Sequence, residues 1–123
     1  MPKVTICVLT YGDHPHLARQ AIESIRRHCP RPEYQLRVGA NAVGDETRAY
    51  LERLETAGEV DQLIMSPVNI NKCPMMRRMF ERVDTDFVWW FDDDSYVTEP
   101  RAWSEWVEAA SSASWLWSSA KTR

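Results

Sequence analysis

The chain has 123 residues, 44% of them hydrophobic and 27% charged, with a formal net charge of −3. That length and balance describe one globular domain spanning residues 1–123, and they exclude a disordered chain. With no basic excess there is no sign of a nucleic-acid partner or an anionic membrane surface, and no apolar run approaches the ~20 residues of a spanning helix.

The short apolar stretch at residues 4–9 lacks a signal-peptide cleavage pattern, so a cytoplasmic location is expected. Cys7, Cys29 and Cys73 are odd in number and widely spaced. That is neither a disulfide framework nor a zinc pattern, and they read as reduced thiols, with Cys7 in a strand core.

Residues 4–10, Val-Thr-Ile-Cys-Val-Leu-Thr, are β-branched and apolar, hence a buried strand. Tyr11-Gly12-Asp13 breaks it. Asp13 or His14 can cap a following helix that has Pro15 in its first turn and Leu17, Ala21, Ile22 and Ile25 at helical spacing. The helix should stop near Cys29-Pro30, where proline disfavours helix in the residue before it. Arg26, Arg27, His28 and Arg31 sit where they favour its dipole.

A second strand fits residues 34–38. The loop 39–44 leads to Asp45 as a cap, and Tyr50, Leu51, Leu54 and Ala57 mark a helix face that Gly58 ends. Residues 60–65 read as a third strand, weakened by Asp61 and Gln62. Asn69-Ile70-Asn71-Lys72-Cys73-Pro74 is a loop entering a helix whose apolar face is Met75, Met76, Met79, Phe80 and Val83.

The run Phe87-Val88-Trp89-Trp90-Phe91 reads as a fourth strand, buried on both faces. Thr98-Glu99-Pro100 opens a last helix with Trp103, Trp106, Val107 and Ala110 on one face. The Ser-rich tail from residue 111 surrounds Trp115-Leu116-Trp117. Strand and helix thus alternate four times, which argues a three-layer α/β/α sandwich on a mostly parallel, Rossmann-like sheet.

Directly after the fourth strand come Asp92-Asp93-Asp94-Ser95. Three carboxylates at the end of a buried strand repel one another and are costly to desolvate. A hard divalent cation, Mg2+ or Mn2+, relieves both costs and keeps coordination positions for phosphate oxygens. Taken alone, the run reads sooner as an acidic turn in solvent. The turn at residues 10–13, the loop 39–44 and the acidic run all lie at strand carboxyl ends, where parallel sheets bind ligands, and they can converge on one crevice.

Three segments carry a resemblance to a known family: residues 4–12, the stretch Asn71–Arg78 with its helix, and Phe87–Phe91 followed by Asp92-Asp93-Asp94. Together they resemble the nucleotide-sugar half of a GT-A glycosyltransferase, closest to the inverting family 2. Residues 91–97 also resemble the D-x-D region of Fringe-like enzymes.

The resemblance implies that Thr10 and Tyr11 lie against the nucleobase, Tyr11 being otherwise an ordinary turn residue. Asp94 would bind the metal and Asp92 would face ribose or sugar while also approaching the metal, with Asp93 beside them. Lys72, Arg77 or Arg78 would offset diphosphate charge, and each arginine is otherwise an exposed helix residue. The family aspartate that reads uracil has no counterpart in Val38-Gly39-Ala40-Asn41, where Asn41 would substitute.

The implied reaction is transfer of a sugar, with a UDP-sugar favoured as donor and Mn2+ or Mg2+ as cofactor, to an unspecified acceptor. The chain stops about where the acceptor half should begin, so a truncated domain is expected. Glu105 and Glu108 match no family base position. Two alternatives stand beside this reading: a nucleotide-sugar-binding or interaction module that does not transfer sugar, and a metal-dependent phosphoryl-transfer domain. Exposed tryptophans near the carboxyl terminus would supply a docking patch for a second subunit or domain.

Overall fold

A computed structural model describes residues 2–112. Four strands and four helices alternate: β1 (Val4–Tyr11), α1 (Pro15–His28), β2 (Tyr34–Asn41), α2 (Asp45–Thr56), β3 (Gln62–Ser66), α3 (Lys72–Phe80), β4 (Phe87–Phe91) and α4 (Arg101–Ser112). The sheet has the order β3-β2-β1-β4, and every pairing is parallel. The chain steps outward from β1 through β2 to β3, then returns to the other side of β1. The order therefore reverses between β1 and β4, and their carboxyl ends flank a topological switch point, where such sheets bind ligands.

Alternate residues of each strand supply opposite faces. On one face Val4, Ile6, Val8, Leu36 and Val38 pack against Ile22 and Ile25 of α1, Leu51 and Leu54 of α2, and Trp103 of α4. On the other, Cys7 and Leu9 meet Met75 and Met79 of α3. Two apolar clusters on opposite faces of one sheet make the three-layer sandwich expected from the alternating pattern.

Gly39 lies beneath α3. A Cβ there would collide with Met79 and crowd Met75, so glycine lets the helix sit close to the sheet. Burial pushes the Cys7 thiol up to about 12, against a smaller opposing effect of Arg37, and burial alone does the same to Cys29. Both are inert core thiols, whereas Cys73 is exposed.

Several boundaries differ from the sequence reading. The second strand continues to Asn41, because residues 39–41 remain in register with Leu9, Thr10 and Tyr11 of β1. The third strand starts two residues late, at Gln62. Gly44, not Asp45, occupies the cap position of α2, leaving Asp45 and Glu46 in the first turn, where they favour the dipole. His14 occupies the cap position of α1 without a side-chain cap bond. Val83 falls beyond α3.

The aromatic run is not buried on both faces throughout: β4 is a sheet edge among the described residues, and its first four residues are half-buried. Trp103 is core and Trp106 half-buried, whereas Trp115 and Trp117 lie outside the described residues. No helix among the described residues is long and apolar enough to cross a membrane.

Candidate functional site

A cleft of about 310 Å3 opens at the switch point, at the lower end of the ~300–1,000 Å3 typical of ligand pockets. Its floor is the end of β1, Leu9 and Tyr11. One wall comes from β2 and the β3–α3 loop (Asn41, Asn69, Asn71), the other from the start of α3 and the end of β4 (Lys72, Asp92, Asp93). The Tyr11 side chain stands between the walls, 48% exposed at the end of a strand that is otherwise buried.

The β4 side is charged. Asp92 Oδ1 accepts a hydrogen bond from Trp90 Nε1 at 3.0 Å and is paired with Lys72 Nζ at 2.9 Å. Partial burial raises the affinity of this carboxyl for its proton. The bonds from Lys72 and Trp90 and the lysine charge outweigh that effect and hold the group below the ordinary carboxylate range. The Asp92 carbonyl accepts the Ser95 N–H at 3.1 Å, closing the tight turn that carries Asp93 and Asp94.

The β2 side is neutral and built of amides. Asn41, 3% exposed, accepts the Ile70 N–H on Oδ1 at 3.0 Å and donates from Nδ2 to Asn69 Oδ1 at 3.1 Å. Asn69 Oδ1 also accepts the Asn71 N–H at 2.8 Å. Asn71, at φ 70°, turns the chain into α3 and delivers Lys72 to the cleft. At the same end of the sheet the Asp13 carboxylate lies against Gly44, where any Cβ would strike it.

Of the residues expected from sequence, Tyr11, Asn41, Lys72, Asp92 and Asp93 share this cleft. Thr10 does not line it; the residue is buried and its Oγ1 donates to the Gly39 carbonyl at 3.1 Å. Arg77 lies on the exposed face of α3, opposite Met75 and Met79, and Asp94 is exposed on the turn. Asn69 was not singled out from sequence as a site residue, because its role rests on a partner 28 positions away.

Among the described residues no group of three or more His, Cys, Asp or Glu could hold a metal ion by itself. The donor chemistry nevertheless fits a shared ion. Asp93 faces the cleft and no described side chain engages Asp94, and Mg2+ or Mn2+ characteristically takes one or two carboxylates and completes its shell with phosphate oxygens and water. The carboxylates fit a cation held jointly with a bound diphosphate.

Residues 5–113 match the family model described as Glycosyl transferase family 2. The chain belongs to glycosyl transferase family 2. No curated protein matches it in sequence. Among solved structures, this family 2 chain is similar to the mannosyltransferase PcManGT from Pyrobaculum calidifontis in complex with GDP-Man and Mn2+, at 20% identity and TM-score 0.76, covering 89% of this chain and 32% of that one.

It is also similar to S. aureus TarS 1–349 in complex with UDP, at 15% identity and TM-score 0.72, covering 89% of this chain and 32% of the other. The TarS 1–349 complex with UDP-GlcNAc aligns at 15% identity and TM-score 0.68, over 89% and 31%. The GT-A type of fold expected from the sequence therefore holds, and the chain spans about a third of the length of these structures.

Proposed function

We propose that this chain is the donor-binding part of a glycosyltransferase, taking a nucleoside-diphosphate sugar together with a divalent cation and serving inverting transfer of the sugar to an acceptor hydroxyl. The observation that carries the reading is the division of the cleft. A neutral amide wall lies at the end of β2, an exposed tyrosine in the middle, and a lysine with carboxylates at the end of β4. Base, ribose and diphosphate demand that order of surroundings. Family membership supports it, as do the GDP-Man, Mn2+, UDP and UDP-GlcNAc bound by the structural neighbours. No observation on this fold favours phosphoryl transfer.

In this reading Tyr11 stacks on the base or ribose, a contact worth ~1–3 kcal/mol per base. Lys72 leaves Asp92 for the diphosphate and forms charge-assisted bonds to its oxygens. Asp92, released from the ammonium, faces ribose or sugar, and Asp94 with Asp92 or Asp93 would hold the cation. When bound, the cation supplies positive charge to the leaving diphosphate. Positioning and electrostatics are the contributions of these residues. The general base is not assigned to any residue of this chain, and a binding module that does not transfer sugar would use the same donor cleft.

Calorimetric titration with UDP and GDP, with and without Mn2+, tests the reading. Metal-dependent binding of one nucleotide, abolished in Asp94→Asn with the fold intact, is the expected result. A folded protein that binds neither, or an Asp94→Asn variant that retains the full manganese dependence, would overturn the donor site or the ligand assignment respectively.

A further inference from the structure

The amide wall has only one arrangement compatible with its hydrogen bonds. A backbone N–H can only donate, so each amide that receives one must present its oxygen. Ile70 N–H fixes Asn41 with Oδ1 toward Ile70 and Nδ2 toward Asn69. Asn71 N–H fixes Asn69 in turn, and its Oδ1 is then saturated by two donors, Asn71 N–H and Asn41 Nδ2. What remains of Asn69 is its NH2, for which no described residue provides an acceptor, on an exposed side chain at the cleft. Two main-chain donors dictate this orientation.

Resting on the donor-site reading above, we infer that Asn69 is a specificity-determining residue: its fixed NH2 selects a nucleotide whose base turns a carbonyl toward the β2 wall, uracil rather than cytosine. The diphosphate belongs with Lys72 and the carboxylates on the β4 side, and Tyr11 separates the two walls, so the base falls to the neutral amides. Uracil brings O4, an acceptor, to the Asn69 NH2. Cytosine brings an exocyclic amine to the same place, so two donors face each other and neither is satisfied, the costly case for a desolvated polar group. Asn41 acts through Asn69: it is buried, and its bonds to Ile70 and Asn69 hold the exposed Asn69 amide in place.

UDP and CDP carry the same ribose and diphosphate, so the ratio of their affinities isolates the base. Titration of the wild-type protein in the presence of Mn2+ should show UDP bound about tenfold or more tighter than CDP. Asn69→Asp is the decisive variant. A carboxylate still accepts from Asn41 and Asn71, so the loop and the melting temperature are retained, but an oxygen replaces the NH2. The added charge weakens both nucleotides alike, whereas their ratio should collapse or invert toward CDP. Equal affinity of the wild type for UDP and CDP, or an unchanged ratio in Asn69→Asp, would overturn the inference while leaving the donor site standing. Absence of binding by UDP and CDP with GDP still bound would overturn the inference alone, and absence of binding by all three would remove the donor site as well.

Discussion

The Lys72–Asp92 pair shows how one contact serves stability and function unequally. Both side chains are about half exposed, and such a pair contributes only about 0–1 kcal/mol to folding. The Asp92 carboxyl is held below its ordinary range, so its stabilising effect is fully present above the unfolded value of ~3.9 and is lost as the pH falls through the lower folded value. Thermal melts of wild type and Asp92→Asn should differ by under about 1 kcal/mol at pH 7, and the gap should close below about pH 4. A gap that widens on acidification would show that the carboxyl is not held ionised by its neighbours. Lys72→Met should barely move the melting temperature, yet weaken UDP roughly tenfold or more, since a charge-assisted bond to the ligand is worth about 1.5–3 kcal/mol. Equal losses in stability and binding would instead make the lysine a structural residue.

Helix α3 is the element that brings Lys72 to the cleft, and it is anchored at both ends by groups from β2. Asn41 holds the loop at its start through Ile70 and Asn69. Arg37, buried, clasps its far end: Nη1 donates to the carbonyls of Met79 at 2.9 Å and Glu81 at 2.6 Å, and Nη2 to that of Arg82 at 3.2 Å. Arg37→Leu leaves those carbonyls short of donors and should cost about 1.5–3 kcal/mol in urea denaturation; a loss within experimental error would mean that water replaces the guanidinium. None of this clasp was legible in the sequence, because an arginine inside a strand reads as a solvent-facing residue until the carbonyls it meets, more than forty positions away, are known. The alternation of strand and helix was legible, since β-branched runs and 3.6-residue spacing are local signals. The extension of β2 was not, because Gly39-Ala40-Asn41 carries no strand propensity and is held by its register with β1. At the cleft, the turn at residues 10–13 and the acidic run were legible from their positions at strand ends, whereas Asn41 and Lys72 were named through the family resemblance. Arg77 was named through the same resemblance, and the phase of α3, set by Met75 and Met79, turns it away.

Across the whole molecule the two faces of the sheet divide the labour. One face presses α3 against β1 and β2 and sets the cleft. The other carries a layer of aromatic rings that joins α4 to β4 and β2. Trp106 stacks on Trp89 at 4.9 Å and 9°, while Trp103 lies 6.1 Å from Trp89 and 6.0 Å from Tyr34. Trp103, 7% exposed, is the more enclosed of the two α4 indoles. No α4 residue lines the cleft. The aromatic layer should therefore govern stability without touching donor affinity. Trp103→Ala removes a buried indole and should cost about 3–5 kcal/mol, a large part of the about 5–15 kcal/mol that holds a domain folded. Guanidinium denaturation followed by near-ultraviolet dichroism would register the loss. Titration of the fraction still folded should return the wild-type affinity for UDP with Mn2+. A stability loss below about 1 kcal/mol would show that the layer yields to the cavity, and a weakened UDP affinity in fully folded protein would show that α4 reaches the cleft through β4.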